Sequence, residues 1–474
     1  MYKNETIVAL ATPPGVGAVA IIRISGPGAH VIAGKLFSKT ARGALLNELS
    51  VLKARTVYLG YIIDNTTVID QVLLTKFVAP NSYTGENIVE ISCHGSIFIQ
   101  NRIIALCIEQ GARAAQPGEF TLQAFINGKM DLSQAEAVAD LIASESRTAH
   151  QMAMQQMRGG FTNDIKELRT QLLNFCSLIE LELDFSEEDV AFANRDELKQ
   201  LLAAAQQKLK NLLDSFSVGN VLKKGIPVAI VGEPNVGKST LLNALLNEDK
   251  AIVSDIAGTT RDSIEDEVNI DGIRFRFIDT AGIRETTDTI ETMGIKRSYD
   301  KANQSNLILY LVDATQLLTK PRVQHCILRM ELMKEKFSGK KVFLLLNKLD
   351  QINGIQLTEI QERFAALKFQ NPVIALSAKS HSGLDKLKQS LVASFNSGLL
   401  QSGEDVVSNG RHYDALLNAY NSLLEVQEGI KNDISSEFLA IDLKATTEAL
   451  GLITGEITND ELLGNIFSQF CIGK

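Results

Sequence analysis

The chain is poor in cysteine, carries no excess of positive charge and has no long apolar run. Its five cysteines, Cys93, Cys107, Cys176, Cys326 and Cys471, are odd in number, scattered and never spaced C-x-x-C. That argues against a disulfide framework or a zinc site and fits a reducing cytosol. None of the six histidines, His94 included, stands at metal-ligand spacing. The most apolar runs, such as Leu307 to Val312, fall far short of the roughly 20 residues of a membrane span. The N-terminus lacks the basic head and unbroken apolar core of a leader, because Pro13, Pro14 and Gly15 interrupt it and Arg23 follows. The net charge of −9 gives no global basic footprint for nucleic acid, although one local basic face stays compatible with it. The expectation is a soluble, cytoplasmic protein.

What is present is ordinary globular composition, 45% hydrophobic and 22% charged, over 474 residues. That length suits roughly three domains. Residues 1 to 125 read as mixed α/β, with strands at Ile7 to Leu10, Ala18 to Ile24, Thr56 to Ile63 and Ile88 to Ser92 and a helix from Ile97 to Gln110 closed by Gly111. Residues 126 to 218 read as long amphipathic helix, with one stripe of Leu168, Leu172, Phe175, Ile179 and Leu183 and a second pattern from Leu198 to Leu213. Breaks are expected at Gly159-Gly160 and in the acidic segment Asp184 to Asp189. Residues 219 to 396 return to α/β, and residues 397 to 474 open on a Ser/Gly/Asn linker and become helical again, with a stripe of Leu416, Leu417, Tyr420, Leu423 and Leu424. This order suggests a discontinuous helical domain with a nucleotide-binding domain inserted into it, the alternative being two separate helical domains.

The inserted part carries the chemistry. Gly232-Glu233-Pro234-Asn235-Val236-Gly237-Lys238-Ser239 follows the apolar run from Ile226 and precedes Thr240-Leu241-Leu242, which is the strand, glycine turn and helix of a P-loop. Its backbone N–H groups and the helix N-terminus suit phosphate; Lys238 would reach the terminal phosphates and Ser239 would hold Mg²⁺. Gly258-Thr259-Thr260-Arg261-Asp262 follows, with Thr260 placed 22 residues after Lys238 to complete the Mg²⁺ shell and sense the γ-phosphate. A hairpin around Asp271-Gly272 leads to Asp279-Thr280-Ala281-Gly282, where Asp279 can bind Mg²⁺ through water and Gly282 can turn its N–H to the γ-phosphate. Asn347-Lys348-Leu349-Asp350 follows a third apolar strand, and the Asp350 carboxylate suits the N1–H and 2-amino group of guanine, which adenine does not match. Ser377-Ala378-Lys379 would meet the guanine O6. Each motif alone is weak, but five in order, each after a predicted strand, specify a Ras-like GTPase.

One position departs from Ras. Ile283 stands where Ras has the glutamine that orients the attacking water. An arginine finger contributes about 4 to 7 kcal/mol, and no partner to supply one is visible, so another charge must stabilise the transition state. Arg284, Glu285 and Glu291 lie nearby, and ordinary solvated charge is the alternative for each.

The P-loop with Asn235, the Gly258 to Asp262 loop, the segment Asp279 to Glu285 and the terminal Phe470-Cys471-Ile472-Gly473-Lys474 together resemble the MnmE or TrmE family of tRNA-modification GTPases, over essentially the whole chain, including Thr12 to Gly15 and Pro117 to Phe120. The resemblance implies an N-terminal domain that binds tetrahydrofolate and dimerises, a discontinuous helical domain and an inserted GTPase. It further implies a homodimer whose GTPase domains meet across a K⁺ ion in place of an arginine finger. On that analogy Asn235 would give K⁺ a side-chain ligand, with Ser254, Ile256 and Thr259 offering further oxygens, while a turn-forming role is the other use of Asn235. Glu291 matches the family's catalytic glutamate. Arg23, Glu90, Lys129 and Lys474 match folate-contacting positions, which a formyl- or methylene-tetrahydrofolate would occupy. Cys93-His94-Gly95-Ser96 departs from the usual Gly-His-Gly-Gly and puts side chains where relatives have hydrogens. Cys471 has the spacing of a prenylation box but a poor match to it; a buried structural thiol is a second reading, and support of the modification reaction beside the folate is the family's.

The function implied is GTP hydrolysis within an enzyme that installs an aminomethyl-type group at C5 of the tRNA wobble uridine, together with an FAD-containing partner subunit. A GTPase that checks ribosome assembly and a stand-alone signalling switch are the alternatives. Binding of a formyl-tetrahydrofolate by the N-terminal part separates the first from the other two.

Overall fold

The computed structural model describes residues 5–47, 49–184, 195–249, 266–278, 302–367, 373–395, 406–432 and 434–474. In chain order the first strands and helices are Ile7–Leu10 (β1), Gly17–Ser25 (β2), Ala29–Gly34 (α1), Phe37–Ser38 (β3), Val57–Asp64 (β4), Thr67–Phe77 (β5), Ile88–Gly95 (β6), Ile97–Glu109 (α2) and Arg113–Ala114 (β7). Helices follow at Glu119–Ile126 (α3), Leu132–Ile142 (α4), Arg147–Met157 (α5), Gly160–Asp184 (α6) and Arg195–Lys224 (α7). Next come Ile226–Gly232 (β8), Lys238–Asp249 (α8), Asp266–Ile270 (β9), Ile273–Phe277 (β10), Leu307–Asp313 (β11), Lys320–Lys336 (α9), Lys341–Asn347 (β12), Gly354–Ala366 (α10), Val373–Ala375 (β13) and Leu384–Phe395 (α11). The chain closes with Gly410–Lys431 (α12), Ser436–Thr454 (α13) and Asp460–Phe467 (α14).

Two compact units result: Met1–Ile142 with Met154–Gln206 and Ala415–Lys474, and Ala143–Ala153 with Gln207–Asp414. In the first, a seven-stranded sheet runs β3-β4-β5-β6-β2-β1-β7. Its inner face meets α1 and α2 in one cluster that includes Ile22, Ile24, Val72, Leu74, Ile32, Ile103 and Leu106. The composition hid β5. Every second residue faces inward, but Asp70 and Lys76 share that face with Val72 and Leu74, so the apolar alternation is interrupted. Both buried charges are satisfied: Lys76 Nζ donates to the carbonyls of Leu49 (2.7 Å) and Leu52 (3.0 Å), and Asp70 accepts the His94 N–H at 2.8 Å.

The helical stripes hold in period and shift in membership. Among the described side chains of α6, which exclude that of Leu183, the buried apolar positions are Phe161, Ile165, Leu168, Leu172, Cys176 and Ile179. Phe175 is half-buried, because a 100° step per residue gives Cys176 the core place. On α12 the stripe is Leu416, Ala419, Leu423 and Val426, whereas Leu424 is exposed. The expected break at Gly159-Gly160 falls at the junction of α5 and α6, with Gly159 (φ 102°) between the helices and Gly160 (φ 30°) the first residue of α6; the acidic break, Asp184 apart, lies outside the described residues. Helix α6 packs against α13, from the far end of the chain: Arg169 Nε donates to the Thr447 carbonyl at 3.0 Å, and the Cys176 thiol points to the Ala440 carbonyl at 3.7 Å. Helices before and after the nucleotide-binding segment thus form one body, as a discontinuous helical domain requires.

The second unit is built on a six-stranded sheet of order β13-β12-β11-β8-β10-β9, parallel except for the β9–β10 hairpin. That hairpin turns at Asp271 (φ 50°) and Gly272 (φ 86°), the two positive dihedrals of a type I′ turn. Strand β8 is buried on both faces, which explains its unbroken apolar run. Ile226, Val228 and Ile230 pack with Leu241, Leu245, Leu384 and Leu387 on one side. Ala229 and Val231 pack with Val323, Met330, Ile360 and Phe364 on the other. Because β11 and β10 flank β8 on opposite sides, the strand order reverses there, and the crevice beyond the carboxyl ends is where such sheets bind ligands.

Candidate functional site

The loop joining β8 to α8 occupies that crevice. Gly232 lies so close to β11 that a Cβ would come within 2.3 Å of the Leu311 carbonyl oxygen. Asn235 and Gly237 take positive φ values of 61° and 98°, which curl the chain. Helix α8 begins at Lys238, so its first-turn N–H groups and positive end open onto the loop, with Ser239 and Thr240 in that turn. Lys238 Nζ donates to the carbonyls of Gly232 (2.8 Å) and Glu233 (3.0 Å), which stretches the side chain along the loop toward its mouth. The Ser239 hydroxyl at a helix start is a hard oxygen of the kind Mg²⁺ takes.

The base-recognition side meets this loop through one residue. Asn347, at the end of β12, is only 3% exposed. Its Nδ2 donates to the Val236 carbonyl at 2.8 Å, and its Oδ1 accepts the Ala378 N–H at 2.9 Å. The P-loop, the Asn347-Lys348-Leu349-Asp350 turn and the Ser377-Ala378-Lys379 turn are thereby tied together. Asp350 sits in the 3-10 turn Leu349–Gln351, and its Oδ1 accepts from Ser377 Oγ at 2.6 Å. Ser377 Oγ in turn accepts the Ser380 N–H at 3.2 Å, while Lys379 is exposed. Lys348 has φ 65° and donates through Nζ to Asp313 Oδ2 at 2.7 Å. Asp313 escaped sequence reasoning; the sign of it was an acidic residue closing an apolar strand just before Ala314-Thr315.

The remaining motif residues, namely Ser254, Ile256, Thr259, Thr260, Asp279, Thr280, Ala281, Gly282, Ile283 and Glu291, lie outside the described residues. Of the potassium set, therefore, only Asn235 is placed: it is exposed at the turn, its left-handed backbone also suiting a turn-forming role.

In the first unit Arg23 and Glu90 stand opposite each other on β2 and β6. Arg23 Nε and Nη2 donate to Glu90 Oε1 at 2.9 and 2.8 Å. The guanidinium lies over the rings of Tyr83 (5.2 Å) and Phe120 (5.6 Å), two aromatic neighbours not foreseen. The C-terminal tail comes to the same place, since Arg23 Nη1 donates to the Gly473 carbonyl at 3.4 Å. Gly473 has φ 97°, and a Cβ there would stand 2.1 Å from the Leu10 carbonyl oxygen. The Cys471 carbonyl accepts the N–H groups of Gly118 and Lys474, both at 3.4 Å, and its thiol side is exposed, which removes the buried-thiol reading. Lys129 Nζ donates to the Pro80 carbonyl at 3.0 Å. Polar N–H donors of a pterin and a carboxylate tail match Glu90 and the cations in kind. Cys93 points into the core, where burial and Asp70 push its thiol up to about 11, so this side chain fills the interior. The edge at Gly95 is tight, for a Cβ there would meet the Gly17 carbonyl oxygen at 2.2 Å.

The family model "GTP-binding protein TrmE N-terminus" matches residues 6–129, and "MnmE helical domain" matches residues 132–471. A "tRNA modification GTPase MnmE" of Christiangramia forsetii is 54% identical with all of both chains covered. The chain belongs to the MnmE family of tRNA modification GTPases. MnmE proteins of Flavobacterium johnsoniae and Bacteroides fragilis are 52% and 49% identical, again over 100% of both chains. The match to the MnmE helical domain runs across the whole nucleotide-binding segment, consistent with a helical domain into which a GTPase is inserted. Among the described residues no helix is long and apolar enough to cross a membrane.

Proposed function

We propose that this MnmE-family chain is the GTP-hydrolysing subunit of an enzyme that adds an aminomethyl-type group at C5 of the wobble uridine of tRNA. It carries the domains 1-125, 126-218, 219-396 and 397-474 read from the sequence. The observation that supports the reading most is the junction at Asn347, which links phosphate loop and base site in a chain similar to MnmE proteins end to end. Lys238 and the α8 N-terminus hold the phosphates, Ser239 with Thr260 and Asp279 holds Mg²⁺, and Asp350 with Ser377, Ala378 and Lys379 reads guanine. With Ile283 unable to orient water, a K⁺ ion held by Asn235, Ser254, Ile256 and Thr259 supplies positive charge when two GTPase domains meet. Glu291 positions the attacking water.

Arg23, Glu90, Lys129 and Lys474 hold a tetrahydrofolate one-carbon donor, and Cys471 stands beside it. The FAD-containing partner subunit and the tRNA complete the assembly. The test is hydrolysis in matched K⁺ and Na⁺ salts together with Glu291→Ala. We expect a loss of orders of magnitude in Na⁺ and in the variant, with GTP binding near normal; equal rates would refute the cation role. Wobble uridines left unchanged by deletion of the gene would refute the modification role.

A further inference from the structure

Asp313 is the last residue of β11 and stands beside Asn347 at the last step of the parallel β11–β12 register. Its side chain is 8% exposed, and a carboxylate so buried persists only when its oxygens are engaged. Both are. Oδ1 accepts the backbone N–H of Thr315 at 3.0 Å and its hydroxyl at 2.7 Å, capping the 3-10 turn Ala314–Leu317. Oδ2 accepts Lys348 Nζ at 2.7 Å. Burial alone would raise this carboxyl, yet the bonds from Lys348 and Thr315 outweigh it and hold the group below the usual carboxylate range.

A local cap would need Oδ1 only. Oδ2 reaches into the base site, because Lys348 occupies a left-handed backbone position and leads into the turn Leu349–Gln351 that carries Asp350. An ammonium released there would have the Asp350 carboxylate two residues along to pair with, and a carboxylate so paired is a poorer acceptor for guanine.

We propose that Asp313 is a positioning residue for the guanine site: by holding Lys348 it keeps the Asn347 to Asp350 turn in shape and leaves Asp350 open to the base. This rests on the reading of that turn as the guanine site. Asp313→Asn keeps the size of the side chain and an acceptor for Thr315 but puts an amide where Lys348 needs an acceptor. In steady-state hydrolysis by the full-length chain we expect KM for GTP to rise about tenfold, the scale of one charge-assisted hydrogen bond, with kcat within about twofold. In a Lys348→Met background the same substitution should add nothing. Thr315→Val, which removes the hydroxyl contact to Oδ1 and leaves Lys348 paired, should keep KM within about twofold of wild type.

An equal loss from Asp313→Asn in both backgrounds, an unchanged KM, or a tenfold rise in Thr315→Val would overturn the proposal. Asp350→Asn serves as the control, since its amide should prefer XTP, whose C2 oxygen accepts. Failure of that switch would sink the guanine reading itself; a successful switch with no Asp313 effect through Lys348 would sink only the positioning role.

Discussion

Replacing Asn347 by alanine tests whether phosphate loop and base site form one unit. The buried amide makes two bonds, to the Val236 carbonyl and from the Ala378 N–H. Truncation orphans one acceptor and one donor, each costing about 1–3 kcal/mol when buried, so about 2–6 kcal/mol is at stake. A water entering the space left would recover part of this, which favours the lower half of the range. The total is a large share of the roughly 5–15 kcal/mol that holds a domain folded. Because both orphaned groups belong to nucleotide-facing loops, much of the loss should appear in binding. At about 1.4 kcal/mol per decade, a loss of 3 kcal/mol is roughly a hundredfold in affinity. Titration with a fluorescent GDP analogue, alongside thermal unfolding without nucleotide, separates the two shares. Affinity within about threefold of wild type, with an unchanged melting temperature, would refute the coupling.

Gly237→Ala should be at least as severe for binding, because a Cβ would stand 2.4 Å from Asn347 Nδ2 on a backbone with φ 98°; normal nucleotide affinity would show that the loop can shift at little cost. Glu86 gives a pH-dependent prediction. Burial raises its carboxyl, Glu119 adds to that and the Ser25 hydrogen bond only partly opposes it. A raised folded-state pKa means that stability is full below the unfolded value of about 4.3 and falls as pH rises through the folded value. Glu86→Gln should therefore unfold at a higher temperature than wild type near pH 7 and lose that advantage near pH 4, as calorimetry at the two pH values would show. Gly473→Ala should push the tail away from Arg23, since its Cβ would collide with the Leu10 carbonyl, and carboxypeptidase should then trim the C-terminus faster.

The nucleotide-binding half was legible because its signals are local. A buried parallel strand, a glycine turn and a helix start are each written in a few adjacent residues, and the Asp271-Gly272 turn names its own conformation. The apolar pattern read from Leu198 to Leu213 likewise lies on a helix, α7, whose buried face the structure assigns to Leu198, Leu202, Ala205, Leu209 and Leu212. What stayed hidden depends on partners far away in the sequence. Asp70 and Lys76 made β5 look unlike a strand until the backbone groups that satisfy them, at His94 and at Leu49 and Leu52, were in place. The stacking of Arg23 on Tyr83 and Phe120 brings together residues about 60 and 97 positions apart, a distance no periodicity spans. By itself the amino-acid order determined the elements of the nucleotide-binding half and the chemistry available to each of its loops. Only the tertiary structure decided that Asn347 would join two of those loops and that Asp313 would hold Lys348, because hydrogen bonds of that kind exist only once separate strands have aligned their ends.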